Sequence, residues 1–405
     1  MLLFKCLKEN IMKIISYLDN SATTKQYDNV TNVMMDAITS NYGNPSSLHT
    51  MGFENSKNLK IQREKIACAL GNNSLKVIFT SSGSESNNLA IKGMADTKKR
   101  NKGIIVTSAI EHAATSNTID KLAEDGWGKS ILEVDPKGLI DIASLEAKIL
   151  NENVPLVSIL QVNNEVGTIQ PIKRIDEIIS KVNKQKTKEE ITLLHVDAVQ
   201  SFKKIMFEMN NIDMISISSH KIHGPKGVAA LAMKSDLRVI PQIHGGGQEF
   251  GIRSGTENVP GIMGFGEAAT TEVDLEKIKN IRDTLLEQIK LNIPDIKINS
   301  PEKSSIYEIE GLCAPHILNI SFLGIRGEVL LHLLEDDGIF VSTGSACSSN
   351  KKGKSHVLKA MKLKDEEIEG AIRFSVGALN QLSEVDYVVE KLKIHVERMR
   401  KLRKK

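Results

Sequence analysis

Between about Leu75 and Met233, short apolar runs alternate with stretches of helical character. Val77–Phe79, Gly103–Val106, Leu156–Leu160, Ile191–Val196 and Met214–Ile217 read as strands, with Gly227–Ala232 as a weaker candidate. Apolar strands separated by helices need crossover connections. The pattern therefore predicts an α/β unit with a mostly parallel sheet covered by helices on both faces. Beyond about Ala269 the pattern changes. Leu275, Ile278, Ile281, Leu285 and Ile289 recur at helical spacing. A strand over Ile317–Phe322, a helix over Gly327–Glu335, a strand over Ala371–Val376 and a helix over Glu384–Arg400 follow. These predict a smaller α+β domain. The expected division is an N-terminal extension over 1–13, a large domain over 14–270 whose opening residues are free to pack on the small one, and a small C-terminal domain over 271–405.

Composition narrows the class. Of 405 residues, 40% are hydrophobic and 25% charged, which excludes disordered and fibrous chains. Lys and Arg number 53 against 50 Asp and Glu, a net charge of +3. That is too close to neutral for a dedicated nucleic-acid binder. No apolar run approaches the roughly 20 residues a membrane helix needs. Leu2-Leu3-Phe4 is broken by Lys5, which is too short for a secretory signal. Cys6, Cys68, Cys313 and Cys347 are too widely separated for a disulfide framework or a four-cysteine zinc site. The expectation is a cytoplasmic enzyme without membrane or direct nucleic-acid partners.

Four stretches could carry chemistry. Lys221 lies where the strand ending in Ser218 breaks into His223-Gly224-Pro225. Ligands of parallel sheets bind at carboxyl ends of strands, and a desolvated lysine near other cations has the lowered amine pKa a Schiff base requires. A surface lysine in a turn is the competing reading. Asp197 closes the strand around His195; a buried carboxylate there needs a cationic or donor partner, such as a protonated pyridine nitrogen, or is a helix cap. The run Thr80–Asn88 is rich in hydroxyls and opens a helix, which suits either an anion or a plain N-cap. Cys347 lies among Ser, Gly and Lys, the setting of a reactive thiolate, whereas Cys68, in Ile66-Ala67-Cys68-Ala69-Leu70, reads as buried and structural. His220-x-x-His223 has no partners at metal-ligand spacing, so no structural metal is expected. Gly245-Gly246-Gly247 lacks the spacing of a phosphate loop and reads as a turn.

Taken together these stretches resemble the cysteine desulfurases of the NifS/IscS type, class-V aminotransferases of fold type I among the pyridoxal-phosphate enzymes. The resemblance runs from Tyr17–Thr24 to Ile372–Gly377 through Tyr42–Ser47, Glu111-His112, Val162–Gly167, His195–Ala198, Ser219–Lys221 and Arg253–Thr256. It implies pyridoxal 5'-phosphate joined to Lys221 as a Schiff base, with Asp197 on the pyridinium nitrogen, His112 stacked on the ring and Gln200 donating to the ring oxygen. Asn164 would touch ring and substrate. Gly83, Ser84, Ser218 and His220 would hold the phosphate, with Thr256 reaching it from the partner of a homodimer. Arg373, with Asn164 and Asn44, would bind L-cysteine. Lys221, His112 and Cys347 would carry catalysis, with Cys347 taking the sulfur as a persulfide and leaving L-alanine. The implied acceptors are proteins such as an iron–sulfur scaffold, with Cys347 as a transient cluster ligand, and tRNA thiolation as a second outlet. Ser219 replaces a glycine common in the family, and Ser82 and Ser84 stand where it often has Gly and Thr; all remain small. Selenocysteine lyase and cysteine-sulfinate desulfinase are rival activities of the same fold. An inactive scaffold is the non-enzyme rival, against which the joint presence of Lys221, Asp197, His112, Arg373 and Cys347 argues.

Overall fold

The structure, a computed structural model, describes residues 16–187, 190–206, 211–344 and 354–403. A seven-stranded sheet forms its centre. The strands are β2 (Leu75–Thr80), β3 (Ile104–Ser108), β4 (Gly128–Leu132), β5 (Leu156–Leu160), β6 (Leu193–Asp197), β7 (Met214–Ser218) and β8 (Ala229–Lys234), after a short β1 (Ser16–Tyr17) outside this sheet. Their order is β2-β8-β7-β6-β5-β3-β4, and only β8 runs against its neighbours. Strands β5, β6 and β7 are buried along their whole length, as expected for a parallel sheet covered on both faces. One layer carries Gly83–Thr97 packed against Ala113–Glu124. Helix Ile172–Asn183 buries Ile172, Ile175, Ile178, Ile179 and Val182, an unbroken apolar stripe.

A second core gathers Leu285, Ile289, Leu318, Phe322, Leu334, Phe374 and Leu392, and it includes Leu18 from the opposite end of the chain. Here β9 (Ile296–Ile298), β10 (Ile317–Phe322) and β12 (Ala371–Ser375) form an antiparallel sheet, with β10 central. Helices Leu275–Asn292 and Glu384–Arg403 pack on each other. The start of the chain joins this unit: β1 pairs in parallel with β11 (Ile339–Phe340). Helices His356–Ala360 and Asp365–Glu369 turn the other way, placing Val357, Leu358 and Ile368 in the large core.

Two details depart from the sequence reading. Strand β4 is an edge strand with alternating exposure, and its one large exposed apolar residue, Ile131, gives too little signal to mark it. Cys68 is exposed, not buried. In helix Thr50–Ala69 the core-facing residues are Ile66 and Ala67, and Cys68, two positions past Ile66, swings to the solvent side. Among the described residues no helix is long and apolar enough to cross a membrane.

Candidate active site

Strand β7 ends at Ser218 and passes into a single tight turn, Ser219–Lys221. His223 then takes a left-handed φ of 63°, and at Gly224 a Cβ would fall 2.1 Å from the Ser219 hydroxyl, so only glycine fits beside that serine. This turn presents Lys221 at the carboxyl end of the sheet. Its Nζ donates to the carbonyl oxygens of Ser21 and Ala22, both at 2.7 Å. The segment bearing those carbonyls is tied down in turn, because Thr24 N donates to His220 O and Thr24 Oγ1 accepts from His223 N.

Lys221 opens into a cavity of about 370 Å³ at the ends of β5, β6 and β7. Asp197, the last residue of β6, is 7% exposed and accepts from Asn87 Nδ2 at 2.7 Å and from Val199 N at 3.0 Å. Among the described residues no cation pairs with it. A nearly buried carboxylate held only by neutral donors is poised to stabilise a positive charge entering the cavity. Opposite it, the first turn of helix Gly83–Thr97 contributes Gly83 and Ser84, and the Ser218 hydroxyl beside them is buried without a partner. A Cβ on Gly83 would press on Val199 Cγ2 at 3.0 Å. The His220 imidazole is pushed down to about 3 by burial and by the charges of Lys221, Lys204 and Lys226, so this wall carries a neutral ring.

The facing wall comes from loops after β3 and β5. His112 caps helix Ala113–Glu124, its Nδ1 accepting from Ala114 N at 3.1 Å. Asn163 shapes the next turn: its Oδ1 accepts from Glu165 N and Val166 N, and its Nδ2 donates to Ile110 O. That turn places Asn164 and Glu165 in the cavity. Burial pushes the Glu165 carboxyl up, against the pull of Ser355 Oγ (2.6 Å) and the charges of His356 and Arg373. Burial likewise lifts Glu111 to about 8, although it accepts from Ser108 Oγ and Leu160 N. Arg373, in the middle of β12, donates from Nη2 to Asp19 (2.6 Å) and from Nη1 to Asn164 O (2.9 Å). Its buried Nε has no partner among the described residues.

Beneath Asp197, His195 is wedged between Ser158 Oγ (2.8 Å) and Ser216 Oγ (2.9 Å), and burial pushes it down to about 4. Above the ordinary 6.5, folded and unfolded chains both hold a neutral ring there. Below it only the unfolded chain takes the proton until the pH nears 4, so stability falls as the pH falls through that window. His195→Gln removes this proton, and its stability deficit relative to the parent is expected to shrink by about 1.4 kcal/mol per pH unit between pH 6.5 and 4.5 in urea melts. Parallel pH profiles would contradict the neutral imidazole.

Of the residues singled out from the sequence, Gly83, Ser84, His112, Asn164, Asp197, Gln200, Ser218, His220, Lys221 and Arg373 line this one cavity. Asn44 does not; it is exposed, with its Oδ1 taken by Ser46 N. Thr256 lines a separate cavity of about 180 Å³ with Ser81, Arg253 and Asn258. Cys347 lies outside the described residues. Sequence reading passed over Asn87, Glu165 and His356 as cavity residues. Asn87 lies within the hydroxyl-rich run and Glu165 within Val162–Gly167, but their partners are distant in the chain. No three or more His, Cys, Asp or Glu side chains gather as a metal site among the described residues.

The aminotransferase class-V family model matches residues 16–388. A cysteine desulfurase IscS of Clostridium botulinum is 39% identical over 393 residues, covering 95% of each chain. A cysteine desulfurase of Nostoc sp. is 39% identical over 397 residues, covering 96% of this chain and 94% of that one. Among solved structures, a NifS-like protein superposes with a TM-score of 0.84 at 37% identity, covering 94% of this chain and 99% of its own. A structure described as SspA in complex with cysteine gives 0.78 at 32% identity over 90% of this chain and 99% of its own. With a family match over nearly its whole length and relatives this similar end to end, the chain belongs to the class-V aminotransferases and, among them, to the pyridoxal-phosphate-dependent cysteine desulfurases of the NifS/IscS type.

Proposed function

We propose that the protein converts L-cysteine to L-alanine and keeps the sulfur as a persulfide on Cys347 for delivery to iron–sulfur cluster assembly. The observation that carries this reading is the placement of Lys221, Asp197 and the unpartnered Ser218 hydroxyl around one cavity at the carboxyl ends of parallel strands. These residues fit pyridoxal 5'-phosphate. Asp197 meets a positive ring nitrogen, while Ser218, with backbone N–H groups at Gly83 and Ser84, offers donors to a phosphate. His220, held neutral, adds a ring nitrogen there. His112 and Gln200 are assigned to the ring face and ring oxygen.

When bound, the cofactor supplies an aldehyde carbon for an amine and a ring that withdraws electrons from the substrate's Cα and Cβ. Lys221 Nζ would hold the cofactor and, once displaced by a substrate amine, would be the group placed to move the proton at the substrate Cα. Arg373 receives the substrate carboxylate: its planar fork is already aimed by Asp19 and Asn164, and Nε waits without a partner. The thiolate of Cys347 attacks the substrate sulfur. The S–S bond forms as the Cβ–S bond breaks, the bonding pair stays with the substrate carbon, and a proton completes alanine. Sulfur is oxidised to the persulfide level as that carbon is reduced.

A homodimer completes this reading. Thr256 is exposed away from the main cavity in its own chain, and Tyr42, Leu48 and Phe53 leave large apolar groups in solvent near Asn44. A protein scaffold is the proposed sulfur acceptor, tRNA thiolation a second outlet, and the cytoplasm the proposed location.

The test is to supply the loaded protein with L-cysteine, L-selenocysteine or L-cysteine sulfinate and to measure alanine and persulfide. Alanine with persulfide, formed preferentially from cysteine, is the expected outcome; alanine only from selenocysteine or the sulfinate would reassign the activity. Arg373→Gln is expected to lower kcat/KM for cysteine by about a hundredfold, chiefly through KM, as two charge-assisted hydrogen bonds are lost. An unchanged KM would remove Arg373 from the carboxylate site.

A further inference from the structure

Just behind the cavity wall lies a lysine that the proposed reaction does not use. Lys204 is only 9% exposed, and no carboxylate pairs with it among the described residues. Burial together with the charges of Lys221 and Arg373 pushes its amine far down from the ordinary lysine value. The other titratable groups near it are His220, whose ring feels its charge, and His223, His316 and Lys203, which share with it a small cavity of about 20 Å³. A side chain placed at such cost needs a purpose beyond filling space. The backbone is also strained to put it there. Lys203 takes a left-handed φ of 60°, which leaves Lys203 partly exposed and turns Lys204 inward.

What Lys204 touches is Gln200, four residues earlier in the same run of turns. Its Nζ donates to Gln200 Oε1 at 3.0 Å, while Gln200 Nε2 donates to Ser21 O at 2.9 Å. A backbone carbonyl can only accept, so Ser21 requires the amide nitrogen on its side, and the amine of Lys204 donates to the amide oxygen on the other. The two contacts fix the orientation of the amide. One N–H of Gln200 is spent on Ser21, and the second remains for the main cavity, which Gln200 lines.

We infer that Lys204 is a positioning residue, which locks the Gln200 amide so that its N–H, never its carbonyl, faces the ring oxygen of the cofactor. The inference rests on the role assigned to Gln200 under the proposed function. Without Lys204 only the Ser21 carbonyl holds the amide, and the flipped state, which turns an acceptor toward an electron-rich oxygen, becomes easier to reach. A donor on that oxygen would stabilise the deprotonated, paler form of the Schiff base over the yellow protonated one, so its loss would move the pH midpoint of the colour change upward.

The experiment titrates apo protein with pyridoxal phosphate and follows the colour of the loaded protein against pH, for the parent, Lys204→Met, Lys204→Arg and Gln200→Ala. Lys204→Met is expected to bind the cofactor about three- to tenfold more weakly, the worth of one hydrogen bond, and to raise the colour midpoint. Its apo form is expected to melt no lower than the parent, since a buried amine has been removed. Lys204→Arg keeps a donor, with the adjoining cavity to take its bulk, and is expected to return both readings toward the parent. If Gln200→Ala shifts affinity and midpoint while Lys204→Met shifts neither, or if Met and Arg lose affinity alike, the inference is overturned and the proposed function stands. If Gln200→Ala changes neither reading, the role of Gln200 falls and that of Lys204 with it.

Discussion

Lys221→Ala is expected to yield a colourless protein whose turnover is lower by at least about a thousandfold, because one change removes both the covalent hold and the proton carrier. The fold should survive. The Ser21 carbonyl that loses the Lys221 amine keeps Gln200 as a donor, and the Ser219–Lys221 turn is set by backbone hydrogen bonds and by the approach of Gly224. Borohydride treatment followed by peptide mass spectrometry should place the cofactor on Lys221 in the parent and nowhere in the variant. Lys204 is the neighbouring amine best placed to substitute, but it is committed to Gln200. A reduced adduct on Lys204 in the variant, or a parent whose adduct lies elsewhere, would remove Lys221 from its role.

Cys347→Ala is expected to abolish persulfide formation and sulfide release while leaving cofactor colour intact, so that binding and sulfur transfer separate cleanly. The sequence around this cysteine is polar and small, with Lys351, Lys352 and Lys354 close behind. Lys354 is ion-paired with Asp365 at 2.7 Å. The described thiols offer no substitute. Cys313 is fully buried, its thiol pushed up by burial and donating to Ile317 O. Cys68 lies on the solvent face of its helix and does not line the cavity. Mass spectrometry after brief exposure to L-cysteine should therefore find the added sulfur on Cys347. Sulfur on Cys313 or Cys68, or full activity in the variant, would sink the assignment.

Much of this architecture was readable from periodicity because the elements at the centre are buried on every side. Strand β5 begins and ends where its apolar run does, and the five helical positions from Leu275 to Ile289 are all buried. Strand β8, the weaker candidate, proved a fully covered member of the sheet up to its last residue; its alanines pack well but signal poorly. What stayed hidden depends on partners far away in the chain. The apolar run Ile14–Leu18 announces β1, but β11 is two residues long and exists only through its pairing with it. Asn87 looks like any polar residue of a helix until Asp197 arrives from 110 residues later. Glu165 and Lys204 carry side chains that composition would assign to solvent, and only the fold buries them. Lys221 and Asp197 were visible because strand ends in parallel sheets are a general address for ligands; which wall each polar group would face was not written in local pattern.

The path of residues 16–24 has a consequence for the order of events during synthesis. This segment supplies the carbonyls that hold Lys221 and the carboxylate that holds Arg373, and it pairs with Ile339, Phe340 and Ser375. Residues 16–24 are thus locked in place by residues made more than three hundred positions later. The large sheet, complete by residue 234, can form while the chain is still being made, but its pocket then lacks a wall. Loop closure over more than three hundred residues must wait until residues 339–375 have been made. Nascent chains stalled before Arg373 should therefore already contain the sheet yet remain unable to retain the cofactor, and loading becomes a checkpoint passed only once that strand has been made.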